Sequence, residues 1–340
     1  MRLGILTGRG HCSGLNAEVR AVVHTAHGRS KRDVIGYRHG WRGLVDGDAM
    51  ELSVAGTDAL LATGGTALGT ARYHPHDHKG AEARVLETLE RDRIGALIVV
   101  GGDGTLAAAD RLADGGVRII GVPKTIDNDV PGTDRSVGFD TALSIATEAV
   151  DRVRTTAESH DRLMVVEVMG HHTGWLAFGA GIAGGAHAIL APESPFDIDE
   201  VTGALRRRHR KASFSIVVVA EGAVPIPGSM DFGTAAGPGG SIVAGAVGER
   251  VRAELALRTG FESRLVVLGH VQRGGPPTPA DRLLASRFGV AAVRAVEEGA
   301  SGVMTGLTGD EVVTVPLSVG AAGPRGAPSS LVETARALLG

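Results

Sequence analysis

One cysteine occurs in 340 residues. Cys12 has no partner for an intrachain disulfide, a usage that fits a reducing compartment and gives the expectation of a cytoplasmic protein. No apolar run approaches the roughly 18 residues of a membrane-crossing helix. The run Leu3-Gly-Ile-Leu6 is far too short for the core of a signal peptide. Charge of one sign is also missing. A formal net charge of -3 gives no reason to expect nucleic acid or an anionic membrane as partner. Aromatic residues make up only 3%, and lysine is scarce: Lys31, Lys79, Lys124 and Lys211 stand among 35 Lys plus Arg.

Glycine is what the chain has instead, at 51 residues, as many short strand-to-helix turns would use. Short apolar runs at 3–6, 34–37, 96–100, 117–121, 163–168, 216–219 and 265–268 are rich in Val, Ile and Leu, as strands covered on both faces are. Helical spacing appears between them, at 82–91, 106–113 and 140–154, the last with Asp140 as an N-cap. Such alternation predicts an α/β fold with parallel sheets and right-handed crossovers. Residues 223–248, rich in Gly, Pro, Ser and Ala, read as an insertion loop, and a short helix is expected over 331–339.

The densest polar loop, Gly121-Val-Pro-Lys-Thr-Ile-Asp-Asn-Asp-Val130, follows a predicted strand. Ligands in open α/β sheets bind at the carboxyl ends of strands, where two carboxylates and a hydroxyl can handle a proton and a metal-bound phosphate. A solvated Asp-rich turn is the alternative. Two Gly-rich loops, Thr7-Gly-Arg-Gly-His-Cys-Ser-Gly-Leu-Asn16 and Gly101-Gly-Asp-Gly-Thr105, also follow strands and precede helices, which suits phosphate binding by backbone amides. An Asp in such a loop can hold Mg²⁺. No Gly-x-Gly-x-x-Gly of the dinucleotide-binding kind opens a helix. Arginines and histidines cluster among glycines at Gly69-Thr-Ala-Arg72, His160-Asp-Arg162, Met169-Gly-His-His-Thr-Gly174, Glu262-Ser-Arg264 and Gly269-His-Val-Gln-Arg-Gly-Gly275, which would suit a phosphorylated sugar.

Four motifs together, Gly101-Gly-Asp-Gly-Thr105, Pro123-Lys-Thr-Ile-Asp-Asn-Asp129, Val166-Glu-Val-Met-Gly170 and Gly269-His-Val-Gln-Arg-Gly-Gly275, resemble the 6-phosphofructokinase family over about residues 1–310. NAD kinases and diacylglycerol kinases share only the Gly-Gly-Asp-Gly loop. The resemblance implies two similar parallel-sheet, Rossmann-like three-layer domains. A donor (ATP)-binding domain would take 1–138 plus about 272–322 and a sugar-phosphate-binding domain 139–271, leaving 323–340 as a C-terminal tail. It implies phosphoryl transfer to the 1-hydroxyl of fructose 6-phosphate. Asp127 would be the general base, with Thr125, Asp129 and Lys124 beside it. Asp103 would hold Mg²⁺. Gly8, Arg9, Gly10, Arg72, Gly102, Gly104 and Thr105 would line the donor. Met169, Gly170, His171, Glu221, His270 and Arg273 would bind the sugar phosphate, joined by Arg162 and Arg264 of a neighbouring subunit, which implies a homo-oligomer, usually a tetramer.

Family members use ATP or pyrophosphate. Pyrophosphate users resemble each other in carrying Asp at the position of Gly104 and Lys at that of Lys124. An acid there would repel and crowd the α-phosphate of ATP, so Gly104 with Lys124 favours ATP. Trp41 is either an apolar wall near a purine or core. The first loop departs from the family's Thr-x-Gly-Gly-Asp-x-Pro-Gly-x-Asn, with Arg9, His11 and Ser13 replacing Gly, Asp and Pro, and His171 replaces an Arg. The alternatives are therefore another donor, another sugar phosphate such as sedoheptulose 7-phosphate, or a non-catalytic paralogue. Of the expected effector-site arginines, Arg20 and Arg154 remain, while His24 and Val54 occupy other positions, so loss of that regulation is expected.

Overall fold

The computed structural model describes residues 2–230 and 243–339. Among them are eleven strands: β1 (Arg2–Thr7), β2 (Val34–Tyr37), β3 (Ala49–Leu52), β4 (Ile94–Gly101), β5 (Ile119–Pro123), β6 (Leu163–Val168), β7 (Ala188–Leu190), β8 (Ser215–Ala220), β9 (Ser263–Val267), β10 (Val303–Thr308) and β11 (Glu311–Pro316). The chain forms two units, one of Met1–Thr141 with Arg273–Pro324 and one of Ala142–Gln272 with Arg325–Gly340.

The first unit holds a seven-stranded sheet of order β11-β10-β5-β4-β1-β2-β3. The inner five strands run parallel, and β3 and β11 pair antiparallel at the edges. The expectation of a wholly parallel sheet is amended there. Only Gly309 and Asp310 separate β10 from β11, too few residues for a crossover, and Gly309 takes φ 57°. The inner strands β4 and β5 contribute Leu97, Val99 and Ile119 to a core shared with Leu6, Leu106 and Trp41. Trp41 is thus a core residue, 2% exposed.

In the second unit β7-β8-β6-β9 form an all-parallel sheet. β6 and β8 are buried throughout, and the edge strand β9 only partly. The stretch from Arg325 belongs to this unit and is not a separate tail. Trp175 Nε1 donates to Arg325 O at 3.1 Å and Ala327 N to Glu193 Oε1 at 2.8 Å, while helix Ser329–Leu339 buries Val332 and Ala335.

The helix expected at 106–113 begins three residues earlier, as Asp103–Asp114, which puts Asp103, Gly104 and Thr105 in its first turn. The helix at 140–154 is Phe139–Ser159. Asp140 lies inside its first turn and accepts from Thr278 Oγ1 at 2.6 Å, so it is no N-cap. Asp281 takes that task from another helix, accepting from Gly138 N at 2.9 Å and from Thr141 N at 2.8 Å. Of the expected insertion loop, residues 231–242 lie outside the described residues.

Candidate active site

The loops after β1, β4 and β5, neighbours in the sheet, are stitched together at their carboxyl ends. Gly8 N donates to Val100 O at 2.8 Å and Lys124 N to Gly101 O at 2.9 Å. The buried Thr105 side chain fills the space between the first two loops. A Cβ on Gly8 would lie 2.2 Å from Thr105 Cγ2, and one on Gly101 would lie 2.3 Å from Thr105 Cβ. Those two glycines allow the approach, and any side chain there would force the loops apart. Thr70 Oγ1 donates to Gly8 O at 2.7 Å, and Ser13 Oγ donates to the carbonyls of Gly274 and Gly275 at 3.0 and 2.7 Å. The serine that replaces the expected proline therefore anchors the loop by hydrogen bonds.

Lys124, 2% exposed, runs beneath this loop, and its Nζ donates to Arg9 O at 3.0 Å and to Gly10 O. Burial lowers its pKa, and Arg273 adds to the effect, while Cys12, Glu18 and Asp127 oppose it. Asp127 and Asp129 are buried in the next turn. Thr125 Oγ1 donates to Asp127 Oδ2 at 3.2 Å and accepts from Asp127 N at 3.1 Å. Asn128 takes φ 52°, a conformation its short amide tolerates, and Asn128 Oδ1 accepts from Ser136 N at 2.9 Å. The carboxylate is held by bonds within its own loop. Gly102 lies against Thr125, a Cβ there meeting Thr125 Cβ at 3.7 Å. Asp103 is exposed at the start of its helix, and Arg9 and Arg72 are exposed as well. A Cβ on Gly10 would meet Arg273 Nη1 at 3.6 Å, so this arginine lies beside the first loop.

In the second unit Met169, Gly170 and His171 follow β6, and Glu221 follows β8. Glu221 Oε1 accepts from Gly170 N at 3.2 Å and His171 N at 2.8 Å, and Gln272 Oε1 accepts from Met169 N at 2.8 Å. His171 takes φ 53°. His270 is exposed. Arg162 and Arg264 converge on Glu262 Oε1, at 2.8 and 2.6 Å, so one carboxylate holds both guanidinium groups at the β6–β9 edge. Glu167 accepts from Gly245 N and Gly248 N at the head of helix Ala246–Thr259.

Two further titratable groups lie buried in the first unit. Cys12 donates to Val137 O at 3.5 Å, and burial pushes its thiol up to about 12, which removes it as a nucleophile. Glu18 is fully buried, and among the described residues neither carboxyl oxygen meets a hydrogen-bond partner. Burial raises its pKa well above the carboxylate range, against the pull of Lys124.

A model of the Phosphofructokinase family matches residues 2–296. The chain belongs to the phosphofructokinase family. It is 48% identical over 341 residues to the pyrophosphate–fructose 6-phosphate 1-phosphotransferase of Amycolatopsis methanolica, with all of both chains covered. It is 49% identical over 324 residues to ATP-dependent 6-phosphofructokinase 3 of Streptomyces coelicolor, covering 94% of each. The solved phosphofructokinase of Pichia pastoris in the T-state matches with a TM-score of 0.84 at 33% identity, covering 99% of this chain and 36% of that one.

For a phosphofructokinase chain, the sequence-expected residues fall into two groups. The first unit gathers Gly8, Arg9, Gly10, Gly102, Asp103, Gly104, Thr105, Lys124, Thr125, Asp127, Asp129 and Arg273. The second gathers Met169, Gly170, His171 and Glu221, with Arg162 and Arg264 paired apart at the sheet edge. Sequence reasoning missed Thr70, Gln272, Glu167 and Asp281, whose task is to hold backbone amides and carbonyls. Thr70, Gln272 and Glu167 lie inside the sequence motifs, and for Gln272 and Glu167 their polarity beside apolar neighbours was the available signal.

Proposed function

We propose that the chain is a 6-phosphofructokinase, transferring the terminal phosphoryl group of ATP to the 1-hydroxyl of fructose 6-phosphate to give fructose 1,6-bisphosphate. The observation that carries this reading is the buried Asp127, which accepts from Thr125, itself packed against Gly102 of the Gly101–Thr105 loop. Phosphoryl transfer asks mainly for positioning and charge neutralisation, with one carboxylate to accept the hydroxyl proton. Asp127 is that base. The amides of the glycine loops and the start of helix Asp103–Asp114 receive the donor phosphates. Met169, Gly170, His171, Glu221, His270 and Arg273 bind the sugar phosphate, with Arg162 and Arg264 serving a neighbouring subunit of a homo-oligomer, a tetramer, in the cytoplasm.

Magnesium fits Asp103. Its exposed carboxylate offers a hard oxygen ligand, and Mg²⁺ commonly takes one or two carboxylates and completes its shell from phosphates and water. Held there, the ion would neutralise charge on the transferring phosphoryl group.

Gly104 supports ATP as donor. The full-length relative named for pyrophosphate, together with Lys124, supports pyrophosphate as the second reading. A coupled assay offering ATP, GTP and pyrophosphate with fructose 6-phosphate tests both. Turnover with ATP alone is expected. Turnover with pyrophosphate alone overturns the donor, and fructose 6-phosphate binding without turnover on any donor overturns the activity.

A further inference from the structure

Residues 66–78 cross the phosphate loops of the first unit and are pinned on both sides. Thr70 Oγ1 holds Gly8 O at 2.7 Å. Further along, His76 Nε2 meets Ala108 O at 3.2 Å, on the helix that begins at Asp103, and its other ring nitrogen meets Glu82. Tyr73 stacks on His78 with ring centroids 4.2 Å apart. Between these anchors His74 lies over Gly104. A Cβ on Gly104 would stand 3.4 Å from His74 Cε1 and 3.9 Å from Nε2. The ring is half-buried, and no side-chain hydrogen bond engages it among the described residues. The imidazole therefore borders the volume that a side chain at position 104 would enter, with its nitrogens still open to a ligand.

We propose that His74 selects the phosphoryl donor, its Nε2 hydrogen-bonding the phosphate chain of a nucleoside triphosphate laid along Gly104. A ring N–H is a competent donor to a phosphoryl oxygen. Glycine at 104 leaves that oxygen room beside the ring, whereas a carboxylate at 104 would engage the ring itself and repel the phosphate. His74 is thus the partner that makes Gly104 an ATP-type position. This inference rests on the reading of the chain as an ATP user.

The test compares wild type, His74→Ala and His74→Gln, whose amide keeps an N–H near the same place. MgATP affinity is measured by calorimetry, and KM for MgATP and for fructose 6-phosphate by steady-state kinetics. His74→Ala is expected to weaken MgATP binding and raise its KM by roughly tenfold or more, the loss of one charge-assisted hydrogen bond. The KM for fructose 6-phosphate stays unchanged, and His74→Gln recovers part of the loss. Equal MgATP affinity in wild type and His74→Ala overturns the proposal, as does a wild type that does not bind MgATP. An unfolded His74→Ala, seen by circular dichroism, leaves His74→Gln and His74→Asn to decide, since Asn places its amide short of the phosphate and is expected to match the alanine loss. Wild-type binding of MgATP without turnover would sink the kinase reading and leave this comparison intact.

Discussion

Asp127 and Glu18 are both buried carboxyls, and their surroundings differ. The Asp127 carboxylate accepts from Thr125 Oγ1, and that hydroxyl in turn accepts from Asp127 N, which ties the side chain to its own loop. Asp127→Ser is expected to lower kcat by about 10²–10⁴-fold, the usual worth of a general base. Fructose 6-phosphate binding by calorimetry stays near the wild-type value, and turnover within a few-fold of wild type, on the order of measurement scatter, would remove the role. Glu18 has no such partners. Its raised pKa means that, above the ordinary carboxyl range, the folded chain keeps a proton that the unfolded chain releases. Its stabilising contribution is complete below that range and is lost as pH rises toward the folded value, at about 1.4 kcal/mol per pH unit. Glu18→Gln should remove that slope and raise stability at pH 7 to 8. Urea melts of both proteins at pH 5 and pH 8 measure it, and an equal difference at both pH values would refute the account.

The start of helix Phe139–Ser159 depends on a carboxylate from helix Pro279–Glu297, which is remote in sequence. Burial raises the pKa of Asp281, against the bonds from Thr141 and Gly138. Asp281→Ala leaves two buried amides unpaired and is expected to destabilise the first unit by roughly 2–4 kcal/mol, at 1–3 kcal/mol for each unmet group less relaxation. Thermal melts and hydrogen exchange at Gly138 and Thr141 read the loss. Unchanged protection at those amides would count against Asp281 as the cap.

At the scale of the whole molecule, the paired Arg162 and Arg264 at the β6–β9 edge bear on assembly. If they complete a neighbour's site, a mixture of Asp127→Ser chains with Arg162→Ala, Arg264→Ala chains regains activity that neither has alone. Random pairing in a closed oligomer restores on the order of a quarter of the sites. Mixing after reversible dissociation, followed by the coupled assay, measures it. A mixture as inactive as its components would show that the arginines act within their own chain.

Strand and helix positions in the inner layers were legible because burial on both faces leaves nearly continuous apolar runs. Val34–Tyr37 and Leu163–Val168 fall where the pattern puts them. The edge strands β3 and β11 were not, because one-sided burial and a two-residue turn leave little periodicity to read. The Asp127 loop was legible because its chemistry is concentrated in six consecutive residues. What the sequence determined by itself is the order of the glycine-rich loops, the family and the candidate base. Tertiary structure alone decided that Asp281 caps a distant helix, that Thr105 needs two glycines around it, that Lys124 braces the first loop, and that His74 lies over Gly104. Apart from Gly101 against Thr105, each is a contact between residues far apart in the chain, and nothing local in the sequence encodes which of them will meet.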